Sequence, residues 1–171
     1  MNISIIKITT EGVKALQSIS RQTFYETFAE SNSEKNMRHY LEDNLSIEKL
    51  TSELSNKNSE FYFSTDNNDV IGYLKLNFGA SQTELKEEQS VEIERIYVLN
   101  AYHGKKVGQL LYDKAIEVAK ERKALYVWLG VWEENARAIS FYKKNGFMEF
   151  DKHIFRLGDD EQTDIMMRLE L

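Results

Sequence analysis

The segment of residues 92–121 constrains the fold of this chain more than any other. Its start is rich in β-branched and aromatic residues, which is the composition of a strand: Ile93, Ile96, Tyr97 and Val98. Its second half repeats apolar residues every three or four positions, which is the period of a helix: Val107, Leu110, Leu111, Ala115, Val118 and Ala119. A strand joined to a long helix by a short loop predicts an α/β fold.

The loop between this strand and helix carries glycines and lysines: His103, Gly104, Lys105, Lys106, Val107, Gly108 and Gln109. The first N–H groups of a helix have no intrahelical partner and carry partial positive charge, and glycine lets a phosphate approach the backbone. The loop therefore predicts a pyrophosphate cradle, with an ordinary solvated turn as the alternative. The spacing matches neither the Walker pattern nor the G-x-G-x-x-G fingerprint.

Length and composition limit the classes of protein further. The 171 residues contain no proline and no low-complexity linker, which predicts a single domain over residues 1–171. The absence of cysteine excludes disulfides, a thiol nucleophile and cysteine-ligated zinc. The chain has no signal-like start and no long apolar run, so we expect a cytoplasmic protein without a membrane role. A net charge of −6 argues against nucleic-acid binding and is compatible with a cationic small substrate.

Periodicity and turn residues predict the order β-α-α-α-β-β-β-α-β-α-β-β. Strands are predicted at Ile3–Ile8, Glu60–Thr65, Val70–Phe78, Glu92–Val98, Ala124–Trp132, Phe147–Leu157 and Asp164–Leu171. Helices are predicted at Val13–Phe28, after the capping-box pattern Ser31–Glu34, around Ile47–Leu54, from Val107 onward, and at Ala136–Lys144 behind Asn135. The crossover helix makes the fourth and fifth strands parallel, within a mixed sheet that has helices on both faces.

Two motifs resemble those of the GNAT superfamily of N-acetyltransferases. One follows the spacing N-x-x-A-x-x-x-Y-x-x-x-G-F: Asn135, Ala138, Tyr142, Gly146 and Phe147. The other is the loop, which is similar to Q/R-x-x-G-x-G/A but has His103 in the first place, Lys106 where the first glycine is usual, and Gly108 in the last. The resemblance implies a mixed, mostly antiparallel sheet with helices on both faces and a splayed parallel strand pair.

Three further segments are similar to the bacterial PaiA-type spermine/spermidine acetyltransferases: Thr23–Phe28, Trp128–Glu133 and Gly158–Asp164. This resemblance implies transfer of an acetyl group from acetyl-CoA to a polyamine, without a metal. Acetylation of another amine (a protein N-terminus, an amino acid or a drug) is one alternative. A non-catalytic acyl-CoA-binding regulatory protein is the other, because fold alone does not fix function. The sequence leaves open whether the chain forms a homodimer.

Tyr142 is the candidate general acid. A phenol has a pKa of about 10 and a thiol of about 8.5, so the hydroxyl can give a proton or a strong hydrogen bond to a leaving thiolate. A buried tyrosine with a satisfied hydroxyl is the alternative on spacing alone, but the surrounding signature favours catalysis. By resemblance, acetyl-CoA contacts Ile96, Tyr97, Val98, His103, Gly104, Lys105, Lys106, Val107, Gly108, Gln109, Asn135, Tyr142 and Lys144. At Lys106 we expect an ordinary negative φ, so that the side chain adds charge without backbone strain.

The acceptor amine needs a group that takes its proton. Glu92 and Glu94 lie two positions apart and so share one face of the fourth strand. Glu92 is the candidate base and Glu94 a substrate-binding residue, with ion pairing to Arg95 or a surface lysine as the alternative. Tyr25, Glu26 and Tyr97 are further candidates for the acceptor pocket. The histidines His39, His103 and His153 are not spaced as metal ligands, and His39 and His153 are expected at the surface or in packing.

Overall fold

The computed structural model describes residues 1–171 and contains one seven-stranded sheet with the strand order β1-β2-β3-β4-β5-β7-β6. The strands are β1 (Ile3–Lys7), β2 (Ser59–Asp66), β3 (Asp69–Phe78), β4 (Ser90–Val98), β5 (Tyr126–Trp132), β6 (Met148–Leu157) and β7 (Asp160–Glu170). The helices are α1 (Val13–Phe28), α2 (Glu34–Asn44), α3 (Ile47–Ser55), α4 (Val107–Glu121) and α5 (Ala136–Lys144). No helix is long and apolar enough to cross a bilayer.

Neighbouring strands are antiparallel throughout the sheet, except that β4 and β5 run parallel. The predicted fold class and element order are confirmed. The main error concerns β7, which begins at Asp160 and not at Asp164. The polar residues in between belong to a tight hairpin, because Gly158 has a φ of 65° and lets Leu157 pair directly with Asp160.

Local sequence signals explain where several elements begin and end. The cap of α2 is Ser33, whose hydroxyl accepts from the Asn36 N–H, and not Ser31 as the capping-box spacing predicts. The β2–β3 turn consists of Asn67 and Asn68, which both have positive φ angles, as a tight two-residue hairpin turn requires. The cap and the turn both lie in polar segments of the sequence. The helix cap is Ser33, two positions after the Ser31 that the pattern predicts.

Two apolar cores lie on opposite faces of the sheet. On what we call the α4/α5 face, α4 and α5 pack their apolar residues on β3, β4 and β5, with Leu111 and Ala115 fully buried. On the α1–α3 face, the first three helices pack on β2 and β3, with Leu16 and Leu50 fully buried. Because each face has its own core, the central strands are held from both sides, which stabilises the edges of any gap between them.

Candidate active site

A gap opens in the middle of the sheet, between β4 and β5. Their pairing runs from Ser90 opposite Tyr126 to Ile93 opposite Leu129, whereas both strands continue beyond that point. A bulge in β4 lies at this position, because the register with β3 shifts between Lys75 and Leu76. The predicted splay of the parallel pair is therefore present.

The backbone of β4 beyond Ile93 offers polar groups to this gap. The Leu99 N–H donates to the Ile71 carbonyl on the β3 side at 2.9 Å. Successive residues of a strand direct their N–H and C=O groups to opposite sides, so those of Ile96 and Val98 point toward the gap. Both residues also pack their side chains on the α4/α5 face. This is the arrangement in which an extended ligand with amide groups can add to a strand edge.

The predicted pyrophosphate loop lies where β4 leads into α4. Neither Gly104 nor Gly108 has an atom within 4 Å of the position that a Cβ would occupy, so a ligand can approach the backbone there. The expectation for Lys106 is wrong: its φ is 64°, in the left-handed region, and it caps α4 without a side-chain hydrogen bond. The chain therefore turns sharply at Lys106 as it passes from the loop into α4. In the superfamily pattern glycine occupies this place, and the geometry here is the one that favours glycine.

His103 joins the loop to both β4 and α5. Its Nε2–H donates to the Val98 carbonyl at 2.8 Å, and its Nδ1 accepts from the Arg137 guanidinium on α5. Partial burial lowers the pKa of His103, and Arg137 lowers it further, so the imidazole is neutral at pH 7. Arg137 thus brings a positive charge beside the loop. Sequence reasoning missed it, although it stands within the signature between Asn135 and Ala138.

The helix α5 runs alongside the loop. Asn135 caps its first turn by accepting from the Ala138 N–H at 3.2 Å. At its other end, Gln109 of α4 donates to the Asn145 side chain at 3.2 Å. Lys144 is exposed and lies next to Asn145, so it is close to the first turn of α4. The structure thus gathers the predicted cofactor-binding residues around the end of β4, the loop, α4 and α5, except that the Tyr97 side chain lies on the other face of the sheet. Their contacts with acetyl-CoA remain a prediction.

Tyr142 is buried in the core of the α4/α5 face, with 6% of its surface exposed. Burial raises its pKa well above 10, and no hydrogen bond contributes to that shift. Tyr97, on the opposite side of β4, also has a raised pKa, mainly through burial and in small part through Tyr142. The role of Tyr142 as a general acid remains a prediction.

Glu92 is held by three donors on the α1–α3 face. Its carboxylate accepts from the Asn77 amide at 3.0 Å, the Thr83 N–H at 2.8 Å and the Thr83 hydroxyl at 2.6 Å. Burial raises its pKa, and these hydrogen bonds oppose the rise. The arrangement anchors the loop of residues 79–89 to the sheet. Proton removal by Glu92 remains a prediction, and the expected partners, Arg95 or a surface lysine, are not among its hydrogen bonds.

Glu94 belongs to a buried cluster of four charges, which sequence reasoning foresaw only in part. It pairs with Lys75 at 2.9 Å and with Arg95 at 3.1 Å, and Glu53 of α3 pairs with the same two cations at 2.8 and 3.0 Å. Burial alone would raise the pKa of Glu94, but Arg95 and Lys75 hold it at about 2. The Asn77 amide also donates to Glu94, at 2.7 Å, which confirms that Glu92 and Glu94 share a face.

Two predicted substrate residues on α1 lie in different surroundings. Tyr25 is exposed and borders a groove of about 290 Å³ between α1 and α2. The Glu26 carboxylate accepts from the Asn100 N–H at 2.9 Å, which ties α1 to the turn after β4. Glu26 also acts on the pKa of His103, so it lies on the side of the pyrophosphate loop. The structure does not bring either residue into contact with Glu94, and their roles remain predictions.

A recess on the α1–α3 face lies over Gly130, the first β5 residue past the last pair with β4. The side chains of β5 on this face are Tyr126, Trp128, Gly130 and Trp132, and glycine is the only small one. The other residues of β5 are buried or half-buried on both faces, but Gly130 is exposed. A Cβ at Gly130 would lie 3.5 Å from an Asp164 oxygen and 3.6 Å from His153 Cε1.

The recess is lined by an imidazole between two carboxylates. His153 Nδ1 lies 3.3 Å from Glu84 Oε1, and its Nε2 lies 3.8 Å from Asp164 Oδ2. Burial raises the pKa of Asp164, while His153 lowers it and Glu84 raises it. The expectation that His153 serves at the surface or in packing missed this environment. The glycine between two tryptophans was the one signal for the recess in the sequence.

Comparisons with known proteins agree with this geometry. The family model described as the acetyltransferase (GNAT) family matches residues 14–147. An uncharacterised N-acetyltransferase of Lactobacillus delbrueckii is 36% identical over 99% of this chain and 98% of its own length. A spermidine N(1)-acetyltransferase of Thermoplasma acidophilum is 30% identical over 98% of this chain and 96% of its own length.

Among solved structures, the PaiA N-acetyltransferase of Thermoplasma acidophilum in complex with coenzyme A matches the whole of both chains. Its TM-score is 0.83, at 27% sequence identity. The splayed strands, the open glycine loop and the buried tyrosine are thus found in a chain that shares its fold with a coenzyme A-binding acetyltransferase. The chain belongs to the GNAT family and is an acetyl-CoA-dependent N-acetyltransferase.

Proposed function

We propose that this enzyme acetylates a primary amine of a polyamine, such as spermidine or spermine, with Tyr142 as the general acid. Acetyl-CoA supplies the acetyl group as a thioester. Ile96 presents its backbone N–H and C=O, and Val98 its N–H, to the pantetheine arm, since the Val98 carbonyl accepts from His103. The α4 N-terminus with Lys105, Lys106 and Arg137 offers positive charge to the phosphates. The amine attacks directly, which agrees with a chain that contains no cysteine.

The role of Tyr142 follows from its environment. Burial keeps the phenol protonated at neutral pH, because its pKa is raised. No hydrogen bond contributes to that shift, so the proton is available to a leaving thiolate. A raised pKa makes the phenol a weaker acid, so its help to the leaving group begins as a hydrogen bond to the sulfur, and the proton passes as full negative charge develops on a thiolate whose own pKa is raised by the same burial.

The observation that carries the polyamine proposal is the pair of carboxylates at the recess. Glu84 and Asp164 flank His153 beside the exposed Gly130, on the face of the sheet away from α4 and α5 and next to the gap. A recess with two acids and a chain with a net charge of −6 both attract cations. The similarity to a spermidine N(1)-acetyltransferase adds support for the same class of acceptor.

The test is the release of free coenzyme A from acetyl-CoA in the presence of a panel of acceptors. The panel contains spermidine, spermine, free amino acids, peptides with a free N-terminus and an aminoglycoside-type drug. We expect the highest kcat/KM for a polyamine, and a KM for it that rises with ionic strength because salt screens the attraction. A higher kcat/KM for a neutral amino acid or a peptide would refute the polyamine acceptor, and the absence of turnover with every amine would favour a regulatory role.

A further inference from the structure

We propose that Asp164, His153 and Glu84 form a proton relay that takes the proton from the acceptor ammonium and delivers it to solvent. The inference rests on the proposed acetylation of an amine that is protonated at neutral pH. In this relay Asp164 is the catalytic base that contacts the acceptor. His153 and Glu84 act through Asp164 and carry the proton outward.

The order of the three groups follows from their exposure and distances. Asp164 lies deepest, with 17% of its side chain exposed, His153 is intermediate at 29%, and Glu84 is outermost at 38%. The two ring nitrogens of His153 face different carboxylates, at 3.8 Å on the inner side and 3.3 Å on the outer side, and neither contact is yet a hydrogen bond, since the buried Nδ1 has no hydrogen-bond partner. A chain of two carboxylates joined by an imidazole is a path for protons, since each nitrogen can accept or donate.

The position over Gly130 connects the relay to the reaction. Gly130 is the first β5 residue beyond its last pair with β4, so the space above it borders the gap in the sheet. Any side chain at Gly130 would fill the space beside Asp164 and His153. An ammonium that enters this recess meets Asp164 on its way to the gap. Both contacts of His153 must adjust to become hydrogen bonds, the inner one by shortening less than 1 Å and the outer one by reorienting, changes that catalytic groups commonly make when substrate binds.

The proton transfer balances without any further reactant. The ammonium N–H bond breaks, its electron pair stays on nitrogen, and the proton bonds to an Asp164 carboxylate oxygen. The proton then passes to His153 Nε2, while the Nδ1 proton passes to Glu84 and from there to water. Such a step is needed because a primary alkylamine has a pKa near that of lysine, about 10.4, and is almost wholly protonated at pH 7.

The groups around Asp164 favour this role. They are His153 on β6, Glu84 on the loop after β3 and Tyr40 on α2, while Gly130 on β5 carries no charge. Burial raises the pKa of Asp164, which makes it a better proton acceptor than an exposed aspartate. The loop that carries Glu84 is fixed in place, since Gln82 accepts from Trp128 Nε1 at 2.7 Å and Glu92 holds Thr83.

The experiment compares Asp164→Asn with the wild-type enzyme on one primary alkylamine that the wild type turns over, whether or not it is a polyamine. We expect kcat/KM at pH 7 to fall by about 10²–10⁴. The variant can use only the amine molecules that are already neutral, and their fraction rises tenfold per pH unit. The ratio of wild-type to variant kcat/KM should therefore shrink by about tenfold per unit between pH 7 and 9. A ratio that stays constant over this range would overturn the relay.

A second acceptor separates proton removal from structural damage. With an amine that is mostly neutral at pH 7, such as trifluoroethylamine, Asp164→Asn should come within a few-fold of the wild type, and an equal loss on both amines would contradict the proposal. His153→Gln and Glu84→Gln should show the same dependence on amine protonation with smaller losses, of about tenfold. The matched control is Glu161→Gln, an exposed carboxylate on the same strand that pairs with Arg156. Calorimetric binding of coenzyme A and urea unfolding show whether each variant is folded.

Discussion

The two faces of the sheet at the gap differ in how their functional residues are encoded. On the α4/α5 face, the strand edge, the loop and the first turn of α4 come from one continuous segment, residues 96–109, and α5 adds a motif of fixed spacing. On the α1–α3 face, the recess and the charge cluster draw side chains from β3, β4, β6, β7, α2, α3 and a loop. The residues predicted to bind acetyl-CoA are thus close together in sequence. The residues on the acceptor side come together only through contacts between distant parts of the chain.

The largest expected effect on the α4/α5 face is that of Tyr142→Phe. Loss of the hydroxyl should lower kcat by about 10²–10⁴ with little change in the affinity for acetyl-CoA, because the proton donor acts only when the thiolate leaves. The matched control is Tyr112→Phe, which removes a hydroxyl from an equally buried tyrosine of the same core. If kcat for Tyr142→Phe is unchanged while chemistry limits the rate, Tyr142 is a packing residue and this face contributes binding alone.

On the α1–α3 face, Lys75→Met should cause the largest loss in the free energy of unfolding. Lys75 is 7% exposed and lies between Glu53 and Glu94, so its removal leaves two buried carboxylates with Arg95 as their one remaining cation. Breaking a buried charge pair from one side costs about 3 kcal/mol. Urea unfolding should show that loss, compared with less than about 0.5 kcal/mol for the exposed Lys57→Met. Equal stabilities of the two variants would mean that apolar packing, not the charge cluster, holds this face.

A smaller effect is expected for Glu92→Gln. A glutamine can keep all three hydrogen bonds, because its carbonyl accepts from Asn77 and the Thr83 N–H while its amide donates to the Thr83 hydroxyl. If Glu92 anchors the loop, kcat/KM should stay within about fivefold of the wild type. If Glu92 is the base that the sequence predicts, kcat/KM should fall by about 10² or more. A pH profile of kcat/KM for this variant and for Asp164→Asn decides between the two carboxylates.

The sequence predicts the fold and the α4/α5 face well for a physical reason. Periodicity records which side of each element is buried, and the signature around Tyr142 places its residues along a single helix. The pairing of Lys75 with Glu53, or of His153 with Glu84, depends on the register of strands and on a bulge in β4. No local pattern records such contacts. The positive φ of Lys106 was missed for a different reason: the superfamily pattern has glycine at this position, which indicates a left-handed residue, but lysine itself rarely adopts that conformation.

The smallest effect is expected for Lys106→Gly, at the loop position where lysine replaces the glycine of the superfamily pattern. Lysine in the left-handed region costs about 1–2 kcal/mol, and the greater freedom of the unfolded glycine offsets about 0.4–1 kcal/mol, so Lys106→Gly should raise the free energy of unfolding by about 0.5–1 kcal/mol. Lys123 provides the control, because it also has a positive φ, of 59°, but lies beyond the C-terminal end of α4. Both glycine variants should gain similar stability in urea unfolding.

Binding then separates Lys106 from its control. Lys106→Gly removes a positive charge from the loop, and acetyl-CoA affinity should fall, more at low salt than at high salt, because salt screens the lost attraction. Lys123→Gly should leave that affinity unchanged. Lys106→Ala keeps the Cβ in the left-handed region and removes the charge, so it should weaken binding without the gain in stability. Tighter calorimetric binding by Lys106→Gly than by the wild type would show that the lysine obstructs the cradle, so that a residue within the local motif of the α4/α5 face weakens acetyl-CoA binding.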